Sequence, residues 1–344
     1  MDYRTFGHTD LKVSKIGLGC QSLGGGLYYK DDQESIKTLL QAFDSGINFY
    51  DVSDHHSQGA SERLLGQAFK GRRDRVIITS KAGLLFSAFG SFALRARPLL
   101  RPVSGFLRPM KGSLHFMRAS QLRYDYSAKY LTQAVERSLQ RLQTDYLDLF
   151  QLYKPSSSIL EKGDFCETLE NLKAQGKIRY YGVACLTVDD ALICLKHPGI
   201  SSVQVAISLI DQEAMTKLLP LAKEKKVAVI ARHPRAIGLF TKTQSDIMGD
   251  TSAYSRTEFE ERKKRAKAFR FLIKQDRTMA QAAIQFVLQL QGISVVLPRA
   301  VQREELKENL GALDAPPLTD EELARIRVSA SNKRFVSDEA DRNR

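Results

Sequence analysis

Short runs rich in β-branched residues alternate with amphipathic helical stretches along this chain, a pattern that calls for a parallel sheet covered by helices. The strand candidates are Ser14 to Gly19, Asn48 to Asp51, Val76 to Lys81, Leu147 to Tyr153, Tyr180 to Ala184, Ser202 to Ala206, Val227 to Arg232 and Ser294 to Leu297. Helical spacing of apolar residues fills the intervals, at Gln33 to Ser45, Ser61 to Phe69, Lys129 to Leu142, Phe165 to Gln175, Val188 to Leu195, Glu213 to Lys225, Glu258 to Lys274 and Arg303 to Leu310. Eight such units close naturally into a (β/α)8 barrel, a TIM barrel, but a doubly wound open sheet shows the same alternation. Periodicity leaves both folds open. At 344 residues the chain suits one large barrel domain, since α/β barrels routinely pass 250 residues with one core. No Pro- or Ser-rich linker divides it, so residues 1–331 read as one domain and residues 332–344 as a charged, frayed tail.

Hydrophobic residues at 43% and charged residues at 26% are ordinary for a globular protein and argue against bulk disorder. No run of eighteen apolar residues suggests a membrane span, and the N-terminus lacks a basic start followed by an apolar core. Cys20, Cys166, Cys185 and Cys194 have neither zinc-like spacing nor a CxxC pair. They read as free thiols in a reducing compartment, with the cytoplasm as the expected location. The net charge of +13 raises the question of nucleic acid, but its excess is local. From Leu84 to Tyr124 there is no acid, while Arg95, Arg97, Arg101, Arg108, Lys111, Arg118 and Arg123 are joined by five phenylalanines. That composition describes an amphipathic insertion, residues 84–125, and not a nucleic-acid-binding tail. Following the third strand, the insertion must emerge at the barrel mouth, either as a lid whose arginines meet an acidic or carrier-bound substrate or as a structural cap with solvated arginines.

In a barrel the chemistry belongs at the C-terminal ends of the strands, which here supply Asp51, Lys81, Tyr153, Gln204 and Arg232. A lone Asp there is more often a helix cap, and a lone Lys an exposed charge that adds little to the core. The two together at one mouth carry more weight. At these residues the chain resembles the aldo-keto reductases over nearly its whole length. The resemblance is carried in order by YRTFGHTDLKVSKIGLGC, GINFYDVSDHHSQGASERLLGQAF, VIITSKAG, SLQRLQTDYLDLFQLY, LKAQGKIRYYGVA, VIARHPRAIGLFTK and VVLPRAVQREELKENL. It implies the barrel, a nicotinamide cofactor and a small-molecule carbonyl or alcohol substrate.

The family arranges Asp, Tyr, Lys and His around a carbonyl oxygen. Asp51 and Lys81 match its Asp and Lys. The tyrosine place, five residues after Asp51 in a pattern that usually reads DxxxxYG, is His56 followed by Ser57, and the histidine place at the end of QLY is Tyr153. Three readings follow. In the leading one, phenol and imidazole have exchanged places and either Tyr153 or His56 protonates the oxygen during carbonyl reduction. In the second, His56 is the acid or base of a redox-neutral isomerase, dehydratase or lyase reaction. In the third, the barrel binds a ligand without catalysis.

No GxGxxG follows a strand, so a Rossmann site is not supported. The resemblance instead implies an extended NADP(H) across the mouth. Gln204 matches the residue that meets the nicotinamide amide, while the Ser-Asn pair that assists it is Ala184 and Cys185. Arg232 stands where many members stack an aromatic ring. Gly238 and Leu239, with Phe240 and Thr241, match the loop over the pyrophosphate. Arg299, Glu308 and Asn309 match the grip on the 2′-phosphate and adenine, and Arg299 favours NADP over NAD. Arg303 by itself reads as a solvated helix start.

Overall fold

The computed structural model describes residues 1–21, 23–24, 32–86, 122–241, 255–300 and 302–331. Its centre is an eight-stranded parallel sheet. In chain order the strands are β1 (Leu18–Gly19), β2 (Phe49–Asp51), β3 (Ile77–Ala82), β4 (Leu147–Tyr153), β5 (Ile178–Ala184), β6 (Ile200–Ala206), β7 (Ala228–Arg232) and β8 (Ile293–Leu297). Each pairs with its sequential neighbour, and parallel bridges from Ile16 to Val296 and Gly19 to Arg299 bring the first strand back to the last. Gly17 N donates to Val296 O at 2.9 Å and Gly19 N to Pro298 O at 3.0 Å across this seam. A Cβ at Gly17 would lie 2.9 Å from the Phe49 ring, so the seam requires glycine there. These contacts select the barrel over the open sheet.

The strands are buried on both faces, as expected where helices cover the outside and side chains fill the inside. The first strand is shorter than the sequence suggests. Lys12–Ser14 turns away to pair antiparallel with Tyr3–Thr5, and this hairpin sends Phe6, Leu11 and Val13 against Phe49, Ile77, Leu149, Ile230 and Val295. It thereby plugs the N-terminal end of the barrel. Burying each of these larger side chains contributes on the order of 1.5–3 kcal/mol.

The helices fall near their expected positions with three differences. The expected span Glu258 to Lys274 is a helix only over Arg256–Lys267, because the chain then forms a short 3-10 turn at Arg270–Leu272 and a bridge between Lys274 and Arg277. Met279–Leu288 is a helix that hydrophobic periodicity does not reveal, since Ala280, Ala282, Ala283, Ile284, Phe286 and Val287 are all buried and leave no polar stripe. Its start is nevertheless written in the sequence as a capping box, Thr278 with Gln281. Ser157–Lys162 and Asp320–Ser331 are further helices without strong periodicity.

At the insertion, Leu84–Phe86 and Leu122–Tyr124 pair as an antiparallel ladder. Arg95, Arg97 and Arg101 lie outside the described residues, as does the tail 332–344. All four cysteines are free, and Cys20, Cys185 and Cys194 are buried. No helix among the described residues is long and apolar enough to cross a membrane.

Candidate active site

Side chains along a strand alternate in direction, so residues two apart line the same face. Phe49 and Asp51 on β2, Ile77, Thr79 and Lys81 on β3, and Leu149, Gln151 and Tyr153 on β4 therefore form ascending inward columns. Ser202 and Gln204 on β6, and Ala228, Ile230 and Arg232 on β7, do the same. The columns are apolar at the plugged end and polar at the other. In the middle, Gln151 Nε2 donates to Thr79 Oγ1 at 2.9 Å. At the top a single cleft is bounded by Asp51, Lys81, Tyr153, Gln204 and Arg232 and continues to Gly238 and Arg299.

Lys81 is only 2% exposed and Asp51 6%. Lys81 Nζ donates to Asp51 Oδ2 at 2.6 Å and to Val52 O at 3.0 Å, and Gln204 Nε2 donates to Asp51 Oδ1 at 3.0 Å. A buried ion pair repays its desolvation only when its remaining hydrogen-bonding positions are met, and these three bonds go far toward meeting them. The sequence suggests an exposed lysine at this strand end. Instead the short β2 ends at the level where β3 is still packed, with Asp51 paired to Thr79, so the lysine two residues further on points into the barrel beneath the mouth. Beside them, burial first and the Asp51 charge second push the Cys20 thiol far above its usual range, which leaves it a neutral, inert wall.

Tyr153 ends β4 and lines the cleft. Its carbonyl accepts from Tyr126 Oη at 2.8 Å, which anchors the strand end, while Lys154 Nζ lies 5.1 Å from its ring centroid. The imidazole that packs on this phenol is that of His55, with ring centroids 4.5 Å apart and planes at 52°. His55 Nδ1 is 2.5 Å from Ser53 Oγ, and Ser53 Oγ also reaches Lys81 O at 3.2 Å. His56 opens a 3-10 turn, His56–Gly59, whose second residue, Ser57, has φ 48°. The His56 side chain lies outside the described part of that turn. Counting from Asp51 selects His56 and overlooks its neighbour; the doubled histidine itself was the available signal.

Gln204 lies at the expected place but spends its amide N–H on Asp51. Arg232 is fixed by a 2.7 Å bond from Nη2 to Cys185 O, so its guanidinium closes the β7 end onto the β5 loop. Beyond it His233, with φ 56°, lines the cleft. Burial and then the charges of Arg232 and Lys154 depress its pKa to about 3, so it stands as a neutral imidazole. Gly238 has φ 85° and lines the cleft. Leu239 packs toward the core, and Phe240 is buried edge-on against Phe269 at 6.0 Å.

Arg299 lines the far part of the cleft, and its carbonyl accepts from Arg235 Nη2 at 2.7 Å and Asn309 Nδ2 at 3.1 Å. Asn309 is 1% exposed and its Oδ1 is buried without a hydrogen-bond partner among the described residues. Such an acceptor costs about 1–3 kcal/mol unless a donor is supplied. Glu308 accepts from Thr278 Oγ1 at 3.1 Å, and Arg303 is exposed beside Glu34 at 3.7 Å, as a solvated helix start should be. Among the described residues no group of His, Cys, Asp and Glu is arranged to hold a metal.

Asp51, Lys81 and Tyr153 line one cleft at the C-terminal mouth of a parallel barrel, and comparison with known proteins identifies the family to which such a barrel belongs. The model of the aldo/keto reductase family matches residues 15–330. An uncharacterized oxidoreductase of Bacillus subtilis, YqkF, is 31% identical over 327 residues, 94% of each chain. The NADH-specific methylglyoxal reductase of Escherichia coli is 27% identical over 321 residues, covering 90% of this chain and 92% of that one. Among solved structures, the holo form of aldo-keto reductase AKR11C1 from Bacillus halodurans superposes with a TM-score of 0.75 at 28% identity, over 98% of this chain and 99% of that one. An aldo-keto reductase from Klebsiella pneumoniae, solved in complex with NADPH, gives 0.66 at 25% identity, over 97% and 96%. The chain belongs to the aldo/keto reductase family. It is an enzyme of the oxidoreductase type.

Proposed function

We propose that this protein is an NADP(H)-dependent oxidoreductase that interconverts a small-molecule carbonyl and its alcohol, with Tyr153 handling the proton. The observation that carries the reading is the placement of Tyr153 in one cleft with the buried Asp51–Lys81 pair. The altered Tyr and His positions fit a specialised pathway better than a general scavenger of aldehydes.

The residues present fit a dinucleotide. Asn309 Oδ1 is a buried acceptor without a donor among the described residues, and an adenine amino group would supply one. Among the described residues, the cleft is lined by Lys81, Lys154, Arg232, Arg235 and Arg299 against the acid Asp51, a balance suited to phosphates. Gly238 allows close backbone approach to them. Arg299 would meet a 2′-phosphate, Asn309 and Glu308 the adenine, and Gln204 and Arg232 the nicotinamide end. One relative is named for NADPH in its complex and another for NADH, so the preference rests on Arg299.

When bound, the cofactor supplies hydride to the carbonyl carbon or takes it from the alcohol. In the reducing direction Tyr153 Oη donates its proton to the carbonyl oxygen as negative charge develops there. The Lys81 ammonium stabilises the resulting phenolate electrostatically, and Asp51 holds that ammonium in place through the 2.6 Å bond. His55, gripped by Ser53, packs on the Tyr153 ring and positions it. Arg232, tied to Cys185 O, closes one side against water.

Isothermal titration with NADPH and NADH tests the cofactor assignment, and oxidation of NADPH by 4-nitrobenzaldehyde tests the reaction. The proposal expects saturable NADPH binding and aldehyde-dependent loss of absorbance. Absence of binding by either nucleotide overturns it.

A further inference from the structure

The residue just past β5 ties two walls of the cleft together. Cys185 N donates to Gln204 O at 2.9 Å, and Cys185 O accepts from Arg232 Nη2 at 2.7 Å. Gln204 and Arg232 both line the cleft, so the main chain at Cys185 helps to set where they stand. Its side chain takes the opposite direction. Alternation along the strand sends Ala184 into the cleft and Cys185 outward, where its Sγ lies 3.7 Å from Sγ of Cys194 at the end of the helix Val188–Cys194. Both thiols are free and fully buried.

Two sulfurs at that distance are in contact, and a bond of about 2.05 Å needs them to approach by roughly 1.7 Å. The helix that carries Cys194 is pinned at its start by the capping box of Thr187 and Asp190 and by the 2.7 Å bond from Ser157 Oγ to Asp190. Part of the approach must therefore come from Cys185, and it draws on the bonds to Gln204 and Arg232.

We propose that Cys185 and Cys194 form a modification site, at which hydrogen peroxide or a small organic hydroperoxide converts the two thiols into a disulfide that loosens Gln204 and Arg232 and weakens cofactor binding. The effect on the cofactor rests on the NADP(H) assignment above; the disulfide does not. With hydrogen peroxide, one thiol sulfur attacks an oxygen, the O–O bond breaks, and the thiol proton leaves with the departing oxygen as water, giving a sulfenic acid. The second sulfur attacks that sulfenic sulfur and expels its hydroxyl, which takes the second thiol proton and leaves as water. The thiol pair loses two electrons and one peroxide becomes two waters. Burial first, and the contact with Cys194 second, hold the Cys185 thiol well above its usual range, so the first step is slow. The contact makes the second step fast, because the resolving thiol already touches the oxidised one.

The test treats reduced wild-type protein with hydrogen peroxide, blocks the remaining thiols under denaturing conditions, and maps the digest by mass spectrometry. The proposal expects a peptide pair joined through Cys185 and Cys194, lost again on treatment with dithiothreitol. Calorimetry should show NADPH binding weakened by about tenfold or more in the oxidised protein and restored by dithiothreitol. Cys194→Ser and Cys194→Ala, each checked by circular dichroism, should keep their NADPH affinity through the same treatment, and bound NADPH should slow the oxidation of the wild type. Absence of the joined pair, or pairing of either residue with Cys20 or Cys166 instead, overturns the site. A mapped disulfide with unchanged NADPH affinity, or equal loss of affinity in both Cys194 variants, overturns the link to the cleft. Failure of the reduced wild-type protein to bind NADPH sinks that link together with the cofactor assignment, while the mapping decides the disulfide by itself.

Discussion

Replacing Lys81 with methionine should damage stability as well as activity. The lysine is 2% exposed and its ammonium lies 2.6 Å from Asp51 Oδ2, so the substitution leaves a carboxylate that is 6% exposed with Gln204 Nε2 as its remaining side-chain donor. Removing one partner of a buried pair typically costs about 3–5 kcal/mol, because the surviving charge is stranded. With a urea slope of about 3 kcal/mol/M, that loss moves the unfolding midpoint down by roughly 1–1.7 M. Far-UV circular dichroism is the suitable probe, since the chain has no tryptophan. Adding Asp51→Asn to Lys81→Met removes the stranded charge and should return at least half of the lost stability, though none of the activity. A single variant as stable as the wild type, or a double variant no better than the single, would refute the view that this pair is a coupled buried unit.

Arg299→Glu should narrow or reverse the ratio of NADPH to NADH affinity measured by calorimetry, and equal wild-type affinities would remove the basis for assigning Arg299 to the 2′-phosphate. Glu322 is held near pKa 2: burial opposes the shift, but hydrogen bonds from Arg277 and Lys274 and from the Thr319 N–H outweigh it. Its folded pKa lies below its ordinary 4.5, so the associated stability, up to about 3 kcal/mol, is present above pH 4.5 and lost as pH falls toward 2. Urea midpoints across that range should decline less steeply in Glu322→Gln, and an identical slope would contradict the linkage. His55→Phe, which keeps a ring against Tyr153 but loses the Ser53 bond, should lower kcat more than KM and shift the pH profile of kcat; a variant with wild-type kcat and pH profile would show that the imidazole does not position the phenol.

The architecture was readable because its causes are local. Strand runs such as LDLFQLY at Leu147–Tyr153 and periodic helices such as Ala128–Leu142 carry their own pattern, and the inward columns follow from the period of two. The helix Met279–Leu288 was not readable by periodicity, because a segment buried nearly all round has no stripe. Barrel closure was equally hidden, since the seam joins residues such as Gly19 and Arg299 that only the completed fold brings together. At the site, the strand-end pattern names Asp51, Lys81, Tyr153 and Gln204, which share one cleft. It missed that Lys81 is buried, that Gln204 is spent on Asp51, and that His55 meets the phenol. Those facts depend on relative strand heights and on the turn after Asp51, which a linear count cannot register.

The central claim is that the proton passes through Tyr153 on the scaffold of Asp51 and Lys81. Its most direct test is the rate of NADPH oxidation at saturating aldehyde for Tyr153→Phe and His56→Tyr, each checked for retained NADPH binding. The account predicts that Tyr153→Phe lowers kcat by about 10²–10⁴, the usual contribution of a positioned general acid, whereas His56→Tyr keeps turnover within about tenfold of wild type. Wild-type turnover in Tyr153→Phe together with its loss in His56→Tyr would contradict the account and place the proton at His56.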